Sequence, residues 1–565
     1  MNKRNSYFIL LYFILKFRKE RQIMNSLWRR KTMRIGGVFV ILLVALTGCG
    51  GSKSNHSNPN DTNYSNPGNP GSPDDNKSPG IPDGNDPLFA DQWYLQNTGQ
   101  SSGAQTGGTE GEDLHIADVW KEFRGSKAFA IAIVDDGIDM LHPDLKDNLD
   151  LNLSYRYSDD SHDPSPVSKY LAHGTCVAGI IAAKGWNNIG IRGIAPDARI
   201  VGLNVMSNLT EATLIQAVEK SGIAISSNSW GFSSNTLHND LDSVVDALKY
   251  GCEYGREGKG TVYAFAAGNN RGKYHNGNAN LSTLANNRYA MAVAAVNADG
   301  KYASYSSFGS SIWISGMGGE YGEEKPAIVT TDLVGFDRGW DTTDQHYAVK
   351  GNENGDYTNR MNGTSAACPT VTGVVALVME ANPALNWRDI RYVLAKSARK
   401  NDVDDANWTI NGAGVPINYN YGFGVIDAKK AVDFAKTFSG LGEEKINEFE
   451  KKTNIKIPDA KNTAISSHIL VDKKVSIEYI DVRVTISGSQ GNVGDLEIKL
   501  ISPAGTESIL AWGDVETYGK YTDWKFGTAR HLDEDSSGEW TLEIKDVDGN
   551  SDYILTDWKL KIYGH

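Results

Sequence analysis

The chain has 565 residues, with 56 Lys and Arg against 69 Asp and Glu, a formal charge of −13. That length implies roughly two to four domains with a sizeable core, and 40% hydrophobic residues exclude a wholly disordered chain. The acidic balance excludes a general nucleic-acid binder, which needs clustered Lys and Arg, and four cysteines exclude a disulfide scaffold or a multi-cysteine zinc module.

Residues 1–48 read as an export signal. Arg29, Arg30, Lys31 and Arg34 lead into the apolar run Ile35–Leu46, about twelve residues and too short to cross a bilayer as a helix. Met24 and Met33 each offer a shorter start. Leu46-Thr47-Gly48-Cys49 resembles the lipobox of bacterial lipoproteins, which implies that Cys49 is lipidated and holds the protein at a membrane. Two or more acyl chains anchor stably where one does not. In Gly50–Asn85, 26 of 36 residues are Asn, Ser, Pro or Gly, so residues 49–85 make a lipidated cysteine and a disordered tether. As a flexible coil it reaches about 35 Å.

From residue 86 to 440, short β-branched runs alternate with helical patterns, which predicts an α/β domain on a doubly wound parallel sheet. Strands are expected at Ala128–Val134, Ala198–Val205, Ile223–Ser227, Thr261–Ala266 and Tyr289–Val296, with helices at Glu211–Ser221 and Asn239–Tyr250. Residues 441–452 read as a linker. Beyond it the pattern has period two: Ile480, Val482, Val484 and Ile486, then Leu496, Ile498 and Leu500. Trp540, Leu542 and Ile544 follow, then Trp558, Leu560 and Ile562, so residues 453–565 should form an all-β sandwich.

Chemistry in such sheets collects at the carboxyl ends of the strands, and four segments fall there. Asp135-Asp136-Gly137 closes the first strand, and His173-Gly174-Thr175 opens a helix of small residues. Ala266-Ala267-Gly268-Asn269 follows a buried strand, and Gly363-Thr364-Ser365 opens another small-residue helix. Ser365 needs a base, His173 can supply it, and Asp135 can fix the imidazole. Asn269 and a helix N-terminus suit a developing oxyanion.

In motif and in the order Asp, His, Ser, the chain resembles the subtilases, within them the kexin/furin-like branch. Asn85–Leu95, Ser227–Gly231, Ile328–Leu333 and Tyr421–Ala428 carry the same resemblance, and Gly494–Thr506 with Gly538–Ile544 resembles the P domain that follows in kexins. It implies a serine endopeptidase with Asp135, His173 and Ser365 as triad and Asn269 as oxyanion donor. Ser229, Trp230 and Gly231, with Ala266, Ala267 and Gly268, would wall the pocket, and Asp136 would face a basic substrate residue. Calcium is implied at Asp86, Asp144 and Asn187 with the carbonyls of Gly185, Ile189 and Ile191, an oxygen set that suits a hard cation.

Three features depart from the branch. Phe232–Ser234 and His275–Asn280 hold no acid, and Tyr170 stands where an acid would precede the histidine; lost acids blunt dibasic selectivity. The tether is too short for the usual prodomain, so a separate chaperone or inhibitor is expected. A second calcium site near the pocket is expected to be absent. Besides protein or peptide substrates cut selectively, two alternatives remain open: a broad degradative subtilase, and a surface binding lipoprotein with an idle triad. Cys176 and Cys368, each three residues past a triad position, read as buried free thiols, with pairing as the alternative.

Overall fold

A computed structural model describes residues 86–565 apart from 232–236, 238–240, 273–276, 344, 460–462, 489–492, 514, 516, 518 and 549–551. The signal segment, Cys49 and the tether lie outside the described residues, as do Phe232–Ser234.

Alternating apolar runs and helices give the expected α/β body. Its strands are β1 (Ala130–Asp135), β2 (Tyr155–Arg156), β3 (Arg199–Asn204), β4 (Ile223–Asn228), β5 (Val262–Ala266), β6 (Ala290–Val296) and β7 (Ile312–Met317). They form one sheet in the order β2-β3-β1-β4-β5-β6-β7, every neighbouring pair parallel. β1, β4, β5, β6 and β7 are buried at every residue, as a sheet covered on both faces requires. The order reverses at β1, and that switch point opens a crevice beyond the strand ends.

Among the described residues six helices follow in chain order: α1 (His173–Ala182), α2 (Glu211–Val218), α3 (Asp242–Tyr254), α4 (Thr364–Ala381), α5 (Trp387–Ser397) and α6 (Ala428–Thr437). α2 ends three residues before the expected boundary, where the chain turns through Gly222 at φ +81°. α4 is apolar and long enough to cross a membrane, but it is a core helix, 89% buried and packed against β4–β7. Two small ribbons, β8 (Ile328–Thr331) with β9 (Tyr357–Met361) and β10 (Thr409–Ile410) with β11 (Pro416–Ile417), complete the body.

The C-terminal part is the expected sandwich. Its strands are β12 (Lys445–Ile457), β13 (Ala464–Val471), β14 (Ile477–Gly488), β15 (Leu496–Ile501), β16 (Glu507–Ala511), β17 (Trp524–Thr528), β18 (Gly538–Asp546) and β19 (Tyr553–Gly564). They make two antiparallel sheets, β12-β19-β14-β17 and β13-β18-β15-β16. All the period-two residues named above lie in its core. One boundary is corrected: most of the expected linker 441–452 is strand, because Lys445–Lys452 pairs with β19 along its edge. The alternating charges of Glu448, Glu450 and Lys452 are the solvent side of that strand, not a loop.

The two parts meet through backbone-directed amides. Asn278 Nδ2 donates to Leu510 O at 2.9 Å, Asn280 Oδ1 accepts from Gly527 N at 2.8 Å, and Asn286 Nδ2 donates to Lys525 O at 2.7 Å. Arg388 and Glu478 form an ion pair across the same seam, 2.5 Å apart.

Candidate active site

β1 is pinned between β3 and β4, so its last residue, Asp135, is held rigidly at the crevice floor. His173 is the first residue of α1, and its Nδ1 lies 2.8 Å and 3.0 Å from the two Asp135 oxygens. Both side chains are buried. Gly174 permits this approach, since a Cβ there would stand 2.3 Å from Gly137 O.

α1 has no capping side chain on the residue before it. Asp136 does that work from a distance: its carboxylate accepts from His173 N at 3.2 Å and Gly174 N at 2.7 Å. At 3% exposure its oxygens are engaged by a helix N-terminus. Burial, reinforced by Asp135, pushes its carboxyl well above the ordinary range.

Burial alone would lower the His173 pKa, but the charge and hydrogen bond of Asp135 and the charge of Asp136 outweigh it. The imidazole is therefore held above its ordinary 6.5. His173 Nε2 has no partner among the described residues.

Ser365 is the second residue of α4, behind Gly363 at φ +93°, a conformation that favours glycine. Tyr305 Oη accepts from Gly363 N at 2.7 Å and fixes the turn. Ser365 Oγ donates to Ser229 O at 2.9 Å. Asn269 Oδ1 accepts from both Thr364 N and Thr364 Oγ1 at 2.8 Å, which leaves its Nδ2 as the available donor beside Ser365. Asp135 thus pairs with His173, and Asn269 with the turn that carries Ser365.

The expected pocket walls lie beside them. Ser229 and Ala266–Ala267 are buried, and Gly231 has open space where a Cβ would be. Trp230 is an anchor: its Nε1 donates to Val134 O at 2.9 Å and its ring meets Phe265 edge-on. Tyr170 is 62% exposed and carries no charge into the crevice. Cys176 and Cys368 are buried thiols with no disulfide between them, and burial pushes the Cys368 thiol up to about 11.

Sequence reasoning missed Trp340, whose ring centroid lies 6.3 Å from that of His173 at 65°. Asp332 holds it there, accepting from Leu333 N, Trp340 N and Asp341 N at 2.8, 2.7 and 2.6 Å. Burial pushes Asp332 up to about 7. Asp341 braces the same loop through His346 and Asn352. The signal was present in the long Asp- and Gly-rich interval between Leu333 and Asn362.

At the expected calcium loop, Asp144 Oδ1 accepts from Asn187 Nδ2 at 2.7 Å, and Asp144 Oδ2 accepts from Ile191 N at 3.1 Å and Tyr357 Oη at 2.9 Å. Burial pushes Asp144 up to about 7. The composition fits a hard cation: a buried carboxylate, an amide, and carbonyls of Gly185, Ile189 and Ile191 that accept no hydrogen bond from the described residues. Asp86 departs from the expected set. Its oxygens accept from Trp186 N, Asn187 N and Asn188 N and pair with buried Arg192 at 2.5 Å, so it clamps the loop with its charge already met. Among the described residues no cluster of three or more His, Cys, Asp or Glu could hold a metal, so an ion here would rely on one carboxylate with amide and carbonyl oxygen.

A doubly wound parallel sheet with a buried Asp–His pair at a strand end and a serine at the start of a core helix has the architecture of a subtilisin-like serine hydrolase. Residues 126–424 match the Subtilase family and residues 478–562 the proprotein convertase P-domain. The chain is 33% identical to the Aeromonas extracellular serine protease of Aeromonas sobria, over 85% of this chain and 91% of that protein. It is 32% identical to human neuroendocrine convertase 2, over 85% and 74%. The crystal structure of the Aeromonas sobria serine protease superposes with a TM-score of 0.79 at 29% identity, covering 87% of this chain and 99% of that one. A second structure shows that protease in complex with a chaperone, again at a TM-score of 0.79. The chain belongs to the subtilase family of serine proteases, with a kexin-type P domain.

Proposed function

We propose that the protein is a serine endopeptidase in which Ser365 is the nucleophile, His173 the general base and Asp135 the residue that orients and charges that base. The observation that carries this is the buried Asp135–His173 pair, whose Nε2 has no partner among the described residues. In the reaction Ser365 Oγ leaves Ser229 O, passes its proton to His173 Nε2 and bonds the scissile carbonyl carbon. Asp135 stabilises the imidazolium that results. The oxyanion is met by Asn269 Nδ2 and Ser365 N. His173 then gives its proton to the leaving amine, and water repeats the sequence to release the acyl group.

Broad cleavage is favoured over strict dibasic processing, since Asp136 is committed to α1 and Asn278 and Asn280 to the P domain. Calcium, where bound, would be held by Asp144, Asn187 and the carbonyls of Gly185, Ile189 and Ile191 and would supply rigidity, not chemistry. Lipidation at Cys49 would set this body on a membrane at the end of the tether. A chaperone partner is supported by the solved complex of the Aeromonas protease.

Fluorophosphonate labelling of the full chain tests the enzyme reading: Ser365 is labelled, and Ser365→Ala is neither labelled nor active. A folded wild-type chain that takes no label would leave the surface-binder reading. Mass spectrometry of a digested peptide library separates scattered cuts from cuts confined to basic pairs.

A further inference from the structure

We propose that the P domain sets the width of the substrate pocket, with Trp512 as the positioning residue. The inference rests on the serine endopeptidase reading and deepens it. The proposed pocket has two walls, Ser229–Gly231 beyond β4 and Ala266–Gly268 at the end of β5. Each wall connects to the sandwich through a short series of contacts.

The second wall is the more closely held. Thr364 Oγ1 of α4 accepts from Gly268 N at 3.1 Å, which leaves the carbonyl side of Gly268 to other support. Ser307 supplies it: its N–H donates to Gly268 O at 2.9 Å, and a Cβ on Gly268 would stand 3.0 Å from Ser307 Oγ. Ala267 shares a buried alanine cluster with Ala279, whose N–H donates to Phe308 O at 2.7 Å. The wall therefore rests on Ser307 and Phe308.

Phe308 in turn meets the P domain. Its ring lies 5.0 Å from that of Trp512 at 74°, and the Trp512 ring lies 5.1 Å from that of Tyr419 at 79°. Such edge-to-face pairs have a preferred geometry and resist sliding. Tyr419 closes the arrangement: its carbonyl accepts from Gly309 N at 2.9 Å, and its Oη accepts from Ile509 N of β16 at 2.9 Å. Arg271 Cζ also lies 4.9 Å from the Phe308 ring centroid, but Arg271 belongs to the segment that leaves Asn269 and is part of what has to be held.

The first wall reaches the same domain. Leu237, beyond Gly231, packs on the sandwich core, and a Cβ on Gly519 would stand 3.4 Å from it. Segments that leave a sheet are less stable than the strands behind them, and a pocket discriminates only where its supports hold it to within about 1 Å. Here that support comes from another domain. The oxyanion donor is held separately, because Asn269 Oδ1 takes Thr364 N and Thr364 Oγ1 of α4. Loosening the contact at Trp512 should therefore change what the pocket prefers and leave the chemistry in place.

The test is kinetic profiling of the full chain on peptides that differ only in the residue before the cut bond. Melting and fluorophosphonate labelling of Ser365 are followed on the same samples. Trp512→Leu keeps apolar bulk and loses both ring contacts; it is expected to narrow the spread of kcat/KM between preferred and poor peptides by about tenfold, chiefly through KM. Ser365 in that variant should take the label at the wild-type rate. Trp512→Phe, a smaller ring in the same place, should narrow the spread by about threefold and decides the matter if the leucine variant does not fold. Glu478→Gln weakens the seam at the Arg388 pair and should leave the profile unchanged. An unchanged profile in a folded Trp512 variant overturns the proposal, and equal narrowing in Glu478→Gln reduces Trp512 to a stabilising contact and overturns it too. A folded wild type that takes no label overturns the enzyme reading, and this inference with it.

Discussion

Two buried charge clusters, one at the strand ends and one at the domain seam, are balanced differently. At the strand ends a single imidazole faces the carboxylates of Asp135 and Asp136, so the region is set to receive a positive charge. At the seam the guanidiniums of Arg288 and Arg388 are paired with the carboxylates of Glu444 and Glu478, and those charges are permanent. A charge imbalance that a reaction will fill is useful only if it is transient; one that folding creates has to be met by structure. Burial strengthens both, because fixed charges in a low-dielectric interior are poorly screened. The same physics therefore serves proton transfer in one region and domain attachment in the other.

The sharpest way to break the comparison is to remove the negative side at the strand ends. Asp135→Asn is expected to lower kcat by about 10⁴, since it loses both the tautomer lock and the stabilised imidazolium. It should also carry the acid limb of the pH–rate profile downward. In the wild type the raised His173 pKa means the base becomes competent only as pH rises past a value above 6.5. The stabilisation from the imidazolium pair runs the other way: it is full below the unfolded pKa and is lost as pH climbs through the folded one. Activity and this increment of stability should therefore cross in the same pH window, seen by rate and melting measurements side by side.

Asn269→Ala should cost about 10²–10³ in kcat with little change in KM, because the amide serves the oxyanion and not the ground state. At the seam, Glu478→Gln should leave kcat unchanged and lower stability by about 3 kcal/mol, as expected for a buried ion pair losing one charge. Denaturant unfolding with activity measured in parallel checks both halves of that statement. The smallest effect expected is from calcium removal: chelation should lower Tm by a few degrees and leave the pH profile in place. A shift of the acid limb on chelation would refute a purely structural ion.

Much of this was legible in the sequence because each feature had a local signature. The strands of the α/β body are continuous β-branched runs, and their ends moved by only one or two residues: β1 was expected at Ala128–Val134 and lies at Ala130–Asp135. The sandwich core was legible because a pleated strand writes its two faces with period two. Strand β12 was not, because as an edge strand its outward charges hide the alternation and imitate a linker. The Asp135–His173 pair could be named from motif alone. What each carboxylate spends its lone pairs on could not. Asp136 and Asp86 both go to backbone N–H groups, which have no identity in a sequence. Trp340 was missed for a related reason: its position depends on Asp332 folding a long loop back over His173, a contact with no periodicity to announce it.

The two asparagines that hold the P domain, Asn278 and Asn280, belong to a loop of the α/β body more than 200 residues before their partners. This has a consequence for recombination. A crossover placed between the two domains, at about residue 440, would look neutral because it cuts few secondary elements, yet it would separate these amides from Leu510 and Gly527. Chimeras that exchange the P domain alone should fold poorly, and those that move the segment 277–288 with it should recover. The inheritable unit is the sandwich together with that distant loop.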